Sequence, residues 1–117
     1  MINKKQDAEQ FTIPGGVEGV LYPPGPGGQF SIAVVSQDGV YPAKGRSMND
    51  VCTETMYVQE GSLTVEVDDA TYELVAGDVL SITPGQKYRV RGKASTVDVI
   101  TPAWDKKQNH ILGEEEV

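Results

Sequence analysis

Apolar and polar residues alternate with a period of two over much of residues 51–101. Six segments there, VCTETMYVQE, SLTVEV, ATYELV, DVLSIT, KYRVRG and STVDVIT, are separated by short turns rich in Gly, Pro and Asp. Such alternation is typical of strands with one buried face, whereas helical periodicity is hard to find in the chain. The segment PAWDKKQNHIL at residues 102–112 is the exception, since it suggests a helical turn capped by Asp105. The pattern predicts an all-β protein closed into a sandwich or barrel, because an open sheet would leave its edge strands unprotected.

The length of the chain predicts a single domain. Its 117 residues are enough for one core of ordinary size. We predict an N-terminal arm over residues 1–30, with the short strands FTI and VEGVLY and the Pro/Gly loop PPGPGG. A barrel over residues 31–102 follows, and a C-terminal segment over residues 103–117 ends in the acidic tail GEEEV. We expect this tail to be solvated and frayed.

The charge balance limits the classes of partner. The chain has 17 acidic and 10 basic residues, a net charge of -7, and it lacks the broad basic surface that nucleic acids and anionic membranes require. The polar N-terminal segment does not resemble a secretory signal, and no apolar run is long enough to span a bilayer. We therefore expect a cytoplasmic protein. With Cys52 as the only cysteine, neither an internal disulfide nor a multi-cysteine zinc site can form.

The segment ETMYVQEGSLTVEVDDATYELVAGDVLSITPGQKYRV resembles the barrel of the cupin family. Glu54 and Gly61, separated by six residues, match the end of the first cupin motif. Gly77, Asp78 and the Pro84-Gly85 bend match the second, with Pro84 displaced by one position. The resemblance is to small, single-domain cupins of the cupin 2 conserved barrel, RmlC-like type. It implies a double-stranded β-helix, or jelly roll, that is often a homodimer and that encloses a pocket for a small molecule.

The resemblance also implies an inward-facing Glu54, at a position that in cupins ordinarily joins three histidines around a metal. The histidines are missing. Depending on loop length, their positions are taken by Met48 and Asp50 or by Ser47 and Asn49, and in the second motif by Tyr88. Neither Met48 nor a neutral Tyr88 replaces imidazole well as a ligand for zinc, iron or nickel, so we expect no metal cofactor. Glu54 and Asp50 are compatible only with a weakly bound hard divalent cation such as magnesium or calcium.

Glu54 and Tyr88 are the candidate catalytic residues. A buried carboxyl must be hydrogen bonded, paired or raised in pKa, and each of these states is compatible with a structural role as well as with binding or proton transfer. Tyr88 has the same strand parity as Val90, so it should point inward, either as a core aromatic or as a proton donor opposite Glu54. Together the pair would suit proton removal beside a carbonyl group.

The candidate ligand-binding residues have alternative structural roles as well. Cys52 and Met56 have the parity of Glu54, although a small buried thiol is the commoner use of such a cysteine. Trp104 is placed to pack the end of the barrel or to stack on a ring, and His110 is expected at the surface. Arg46 could meet an anionic ligand or be an exposed loop charge, and Asp50 completes the set of candidates.

The leading functional hypothesis is a small metal-free cupin that binds a polar metabolite in its barrel and catalyses an isomerase-type or epimerase-type proton transfer. One alternative is a metal-dependent enzyme with an oxygen-rich site, and another is a noncatalytic sensor or binding domain. The sequence alone leaves open whether the protein is an enzyme. It does not identify the ligand, the pathway or the oligomeric state.

Overall fold

Antiparallel β-strands form most of the protein. The structure, a computed structural model, describes residues 1–113. The strands in this part of the chain are β1 (Glu9–Ile13), β2 (Val17–Leu21), β3 (Ser31–Tyr41), β4 (Arg46–Asn49), β5 (Thr53–Val67), β6 (Ala70–Val75), β7 (Val79–Ile82), β8 (Lys87–Thr101) and β9 (Asn109–Leu112). Short 3-10 turns lie at Lys5–Asp7, Pro26–Gly28 and Lys106–Gln108. No helix among these residues has the length and apolar character needed to cross a membrane.

The long strand β8 organises the sheet. It pairs with β3, β4 and β5, and the pairing with β5 runs from Thr53 opposite Thr101 to Val67 opposite Tyr88. On the far side of these pairs, β5 also pairs with β6 and β7, β3 pairs with β2, and β4 pairs with β9. The result is the all-β jelly roll of a double-stranded β-helix, which confirms the predicted fold class.

A bulge and a glycine interrupt the long β5–β8 ladder. The register shifts between Val58 and Glu60, and Gly61 follows in the left-handed region with a φ of 84°. A Cβ on Gly61 would lie 2.1 Å from the carbonyl oxygen of Lys93 on β8. Glycine is therefore required at this position of the first cupin motif, because the backbones approach closely while the strand changes direction.

An apolar cluster fills one part of the interior. Its buried members come from β5, β6, β7 and β8: Met56, Val58, Leu63, Val65, Val67, Leu74, Ile82, Tyr88, Val90 and Ala94. Val58 and Val65 are completely buried. The alternation predicted for SLTVEV is confirmed, because Leu63, Val65 and Val67 are all buried on one face of β5.

The two ends of the chain are joined to the barrel through strand pairing. The predicted strands FTI and VEGVLY correspond to β1 and β2, which form a hairpin that pairs with β3. The predicted C-terminal turn is present, and the Asp105 carboxylate caps it by accepting a hydrogen bond from the backbone N–H of Lys107. The division at residues 30 and 102 stays a prediction. The acidic tail at residues 114–117 lies outside the described residues.

Candidate functional site

Two carboxyl side chains are neighbours on the inner face of the barrel. Glu54 on β5 lies opposite Ile100 on β8, and Asp98 is two residues before Ile100 on the same face of that strand. Asp98 itself lies opposite Met56, so Asp98 is the diagonal cross-strand neighbour of Glu54. Diagonal neighbours on one face are within reach of long side chains. The pairing of β5 with β8 therefore brings the two acids together.

Each acid has a hydroxyl neighbour, since Tyr88 hydrogen bonds with Glu54 and Thr96 with Asp98. Tyr88 is only 2% exposed and lies opposite Ser47 of β4. The rings of Tyr41 and Tyr88 are tilted against each other with centroids 6.2 Å apart, and the Tyr41 hydroxyl is 3.3 Å from the Ser47 Oγ. We call Glu54, Asp98, Tyr88, Tyr41 and Ser47 the carboxyl site.

Burial raises the pKa of both acids. The pKa of Glu54 is raised to about 8, first by desolvation and then by the charge of Asp98, while a hydrogen bond from Tyr88 opposes the shift. The pKa of Asp98 is raised to about 6 by desolvation, against the effect of a hydrogen bond with Thr96. Glu54 is nevertheless half-buried rather than fully buried, so solvent reaches part of this residue. Between these two pKa values the pair of acids holds one proton, and the higher pKa of Glu54 favours that residue as its holder.

Tyr88 remains a hydroxyl over the whole neutral range. Burial raises its pKa well above the ordinary value of 10.0, and the charge of Glu54 acts in the same direction. Burial also raises the pKa of Tyr41, against a hydrogen bond with Ser47. Both phenols are therefore available as hydrogen-bond donors near neutral pH.

Cys52 and Met56 are buried and Trp104 is half-buried, and the three differ in their surroundings. Met56 belongs to the apolar cluster and lies opposite Asp98. Cys52 is 1% exposed, its Sγ is 3.4 Å from the carbonyl oxygen of Pro102, and burial raises the pKa of its thiol. The indole of Trp104 packs against a second, smaller apolar cluster that contains Cys52, Ala33 and Ile100. These contacts favour packing roles for Cys52 and Trp104.

Arg46 and Asp50 are not brought to Glu54. Arg46 donates hydrogen bonds to the carbonyl oxygens of Asp68, at 2.6 Å, and Lys87. The exposed carboxylate of Asp50 lies 2.6 Å from His110 Nε2, on the adjoining strand β9.

The sequence allows two pairs of residues on β4 and just after it at the positions of the missing histidines. The burial of these residues shows which pair points inward. The structure buries Ser47 and Asn49 and leaves Asp50 exposed, so Ser47 and Asn49 are the inward pair. The oxygen-rich site built from Glu54 and Asp50 thus loses its second ligand. Residues 1–113 contain no group of three or more His, Cys, Asp and Glu side chains that could hold a metal.

Asp98 and Tyr41 are members of the site that the sequence pattern did not predict. In STVDVIT, the valines suggest a buried face that excludes Asp98, yet Thr96, Asp98 and Ile100 are the buried residues. One signal was present in the sequence. If KYRVRG and STVDVIT form one continuous strand, the inward parity of Tyr88 and Val90 extends to Asp98.

Two shallow hollows lie away from the carboxyl site, on the hairpin formed by β1 and β2 and on the adjoining part of β3. Their volumes are about 440 and 390 Å³. Glu18 and Ser36 contribute to both, and neither is lined by a predicted site residue. A buried acid pair with raised pKa values is a stronger functional signal than a shallow hollow, so the acid pair is the candidate site.

The sequence matches the model of the cupin domain family over residues 43–101, about half of the chain. The protein belongs to this family. A search of the curated proteins finds no match.

Solved structures share the fold over almost the whole chain. A single-residue variant of Streptomyces PAC13 with uridine has a TM-score of 0.85 at 16% identity, covering 97% of this chain and 90% of that one. Another structure of Pac13, described as a unique nucleoside dehydratase, has a TM-score of 0.83 at 17% identity, covering 99% and 96%. Ectoine synthase from P. lautus has a TM-score of 0.69 at 18% identity, covering 96% and 90%. At these identities the similarity establishes the fold, and some of the neighbours are enzymes.

Proposed function

We propose that this cupin is an enzyme that binds a small polar metabolite in its barrel and catalyses proton transfer through Glu54 and Tyr88. The observation that carries the proposal is the pair of neighbouring interior acids, Glu54 and Asp98, beside the buried hydroxyl of Tyr88. An apolar side chain at either acidic position would avoid the cost of burying a carboxyl group. Retaining two acids on one inner face is better explained by chemistry than by packing.

The two acids can both donate and accept a proton. Between pH 6 and 8, the pKa values of about 8 and about 6 leave one proton on Glu54 and a charge on Asp98. A pKa near the working pH favours general acid–base catalysis. In an isomerisation or epimerisation, an ionised carboxylate takes the proton from the carbon beside a carbonyl group, and a protonated carboxyl returns a proton to the substrate. Here ionised Asp98 takes the proton from the carbon and protonated Glu54 returns its own proton to the substrate, so one proton leaves the carbon and one arrives.

Tyr88 supplies the hydrogen bond that such a reaction needs. Removing a proton beside a carbonyl places negative charge on the carbonyl oxygen, and a buried O–H donor stabilises that charge. The raised pKa of Tyr88 keeps its proton in place, so it acts as a donor and not as the base. Tyr41 is the neighbouring phenol that contacts the Tyr88 ring.

The likeness to Pac13 suggests a second reaction that proton transfer in this barrel could serve. Pac13 is described as a nucleoside dehydratase, and elimination of water also requires the transfer of protons. A dehydratase reaction is therefore the second candidate within the same class of chemistry. The cytoplasmic location and the homodimer remain predictions.

Hydrogen exchange in D₂O tests the proposal whatever product the reaction forms. Neutral aldoses, ketoses and nucleoside aldehydes would be incubated with the protein, and NMR would follow replacement of the hydrogen beside the carbonyl group by deuterium. We expect exchange with at least one compound, slowed by about 100-fold or more in Glu54→Gln because the proton carrier is lost. Tyr88→Phe should slow exchange by about 10-fold or more, since one donor to the oxyanion is removed.

Glu60→Gln is the matched control, because it removes the charge of an exposed glutamate on the same strand. It should exchange hydrogen at the parent rate. If Glu54→Gln and Tyr88→Phe bound and exchanged the compound like the parent, the proposal would be wrong. Binding without exchange by the parent protein would instead favour the noncatalytic binding domain.

A further inference from the structure

We propose that Asp98 and Asn49 determine the class of ligand, and that the barrel takes an uncharged, hydroxyl-bearing metabolite and rejects anions. This inference rests on the proposed function, because it concerns the ligand of the same interior. It is carried by two buried polar atoms that lack partners and by the charge of the buried wall. It adds Asn49, which the proposed proton transfer does not use, and gives the second carboxyl oxygen of Asp98 a role in binding.

Asp98 presents a free acceptor. The residue is 9% exposed, and its Oδ1 has no hydrogen-bond partner, whereas Thr96 supplies a hydrogen bond to the carboxyl group. A buried carboxyl oxygen without a partner costs free energy, so a ligand O–H or N–H group placed there would be bound favourably. Its position beside Glu54 would bring that group close to the proposed proton carrier.

Asn49 presents a free donor. It is 2% exposed and is the next inward position on β4 after Ser47, which belongs to the carboxyl site. Its Oδ1 accepts hydrogen bonds from Gln108 Nε2 at 3.1 Å and Asn109 Nδ2 at 2.9 Å, and these two bonds fix the orientation of the amide. Its own Nδ2 has no partner. A carbonyl, ether or hydroxyl oxygen of a ligand would accept a hydrogen bond from this N–H group.

No basic side chain is among the buried residues that the structure describes. Among the described residues, the buried polar side chains are Ser31, Gln37, Ser47, Asn49, Thr96, Asp98 and Gln108, none of them basic. The nearby cation considered from the sequence, Arg46, is engaged with backbone carbonyls outside this set. A phosphate or carboxylate would therefore meet ionised Asp98 without a compensating charge. A molecule with both hydroxyl and carbonyl or ether oxygens supplies a donor for Asp98 and an acceptor for Asn49.

Matched neutral and anionic probes test this inference. Binding of uridine, D-ribose and myo-inositol would be compared with binding of their monophosphate esters by saturation-transfer NMR and calorimetry. We expect at least one uncharged compound to bind, and its phosphate ester to bind about 10-fold or more weakly because of the interior charge. Asp98→Asn should bring the affinities for the uncharged compound and for its phosphate ester closer together, because it removes the interior charge. Asn49→Asp keeps the acceptor oxygen but removes the N–H donor. It should lower the affinity for the uncharged compound about 10-fold or more.

Glu60→Gln again serves as the control, because it removes one negative charge from the surface and should leave the ratio unchanged. Phosphate esters that bind as tightly as their parents would overturn the inference and leave the proton-transfer proposal standing. Unchanged binding in both Asp98→Asn and Asn49→Asp would also overturn it. So would binding by none of the six probes, in which case the separate exchange assay decides the proposed function.

Discussion

The apolar cluster and the carboxyl site are built on the same two strands but differ in what their inward positions hold. On β5, inward positions after the bulge carry Leu63, Val65 and Val67, whereas the first inward position of the strand carries Glu54. On β8, Val90 packs in the apolar cluster, and Asp98 lies eight residues later on the same face. The same pair of strands runs through both regions, with the bulge between Val58 and Glu60 separating them. The difference therefore lies in side-chain chemistry, which stabilises the fold in one region and costs stability in the other.

This contrast separates structural from functional residues without reference to relatives. Burial of apolar surface contributes about 25 cal/mol per Å², so each inward Leu or Val stabilises the barrel. Burial of Glu54 and Asp98 raises the pKa of each acid, which means that the folded state disfavours their ionised forms. Substitutions in the two regions should consequently act in opposite directions.

The largest effect is expected in the apolar cluster. Leu63 is 3% exposed, and Leu63→Ala should lower the free energy of unfolding by about 2–5 kcal/mol, because it removes buried methyl groups and leaves a cavity. Urea denaturation followed by circular dichroism measures the change. The exposed neighbour Ser62→Ala should stay within about 0.5 kcal/mol of the parent. Equal losses in the two variants would contradict the assignment of the core.

The second effect concerns the glycine that lets β5 pass from one region to the other. Gly61→Ala should cost about 1–3 kcal/mol for the left-handed backbone alone, and more because the new Cβ would meet the Lys93 carbonyl. Thermal unfolding measures the change. Gly77→Ala is the matched comparison, since Gly77 also has a positive φ of 96° but no atom within 4 Å of the added Cβ. If Gly77→Ala were the more damaging, close approach of the strands would not explain Gly61.

At high pH, a substitution in the carboxyl site should have the opposite effect on the free energy of unfolding and stabilise the protein. Because the pKa of Glu54 is raised from 4.5 to about 8, the folded state retains a proton that the unfolded state releases. The stability of the parent should therefore decline as the pH rises from 4.5 to 8 and level off above that range. Glu54→Gln should flatten this decline and be more stable than the parent above pH 8. Urea denaturation across this pH range measures it, and a parent protein that gains stability between about pH 6 and 8 would contradict the account.

The smallest effect is expected on the outer face of the same strands. Arg91 and Glu66 form an ion pair at 3.4 Å, with side chains 48% and 31% exposed. Arg91→Gln should change the free energy of unfolding by less than about 1 kcal/mol, because solvent screens exposed pairs. Denaturation of the parent and the variant at low and high salt measures what the ion pair contributes to the free energy of unfolding. A loss comparable to that of Leu63→Ala would mean that the outer face matters as much as the core.

Much of the fold could be predicted from the sequence, because strand parity and turn residues are local properties. The alternation in SLTVEV identified the buried face of β5, and Glu54 and Gly61 carried the family resemblance. Asp98 was missed because Val97 and Val99 mimic a core face, and only the continuity of β8 with Tyr88 reveals the true parity. The exposure of Asp50 could not be predicted, since it depends on how β4 pairs with β9 and on the contact with His110. Local sequence patterns predict which face of a strand is buried, whereas contacts between distant segments can be seen only in the folded structure.

The most direct test is an NMR titration of the side-chain carboxyl carbons of Glu54 and Asp98. Selective ¹³C labelling of glutamate and aspartate, with Glu54→Gln and Asp98→Asn spectra for assignment, would follow both groups from acid to alkaline pH. If the two acids share a desolvated interior, Glu54 should titrate near pH 8 and Asp98 near pH 6. Titration of both groups at their ordinary values of 4.5 and 3.8 would contradict a buried proton-carrying pair.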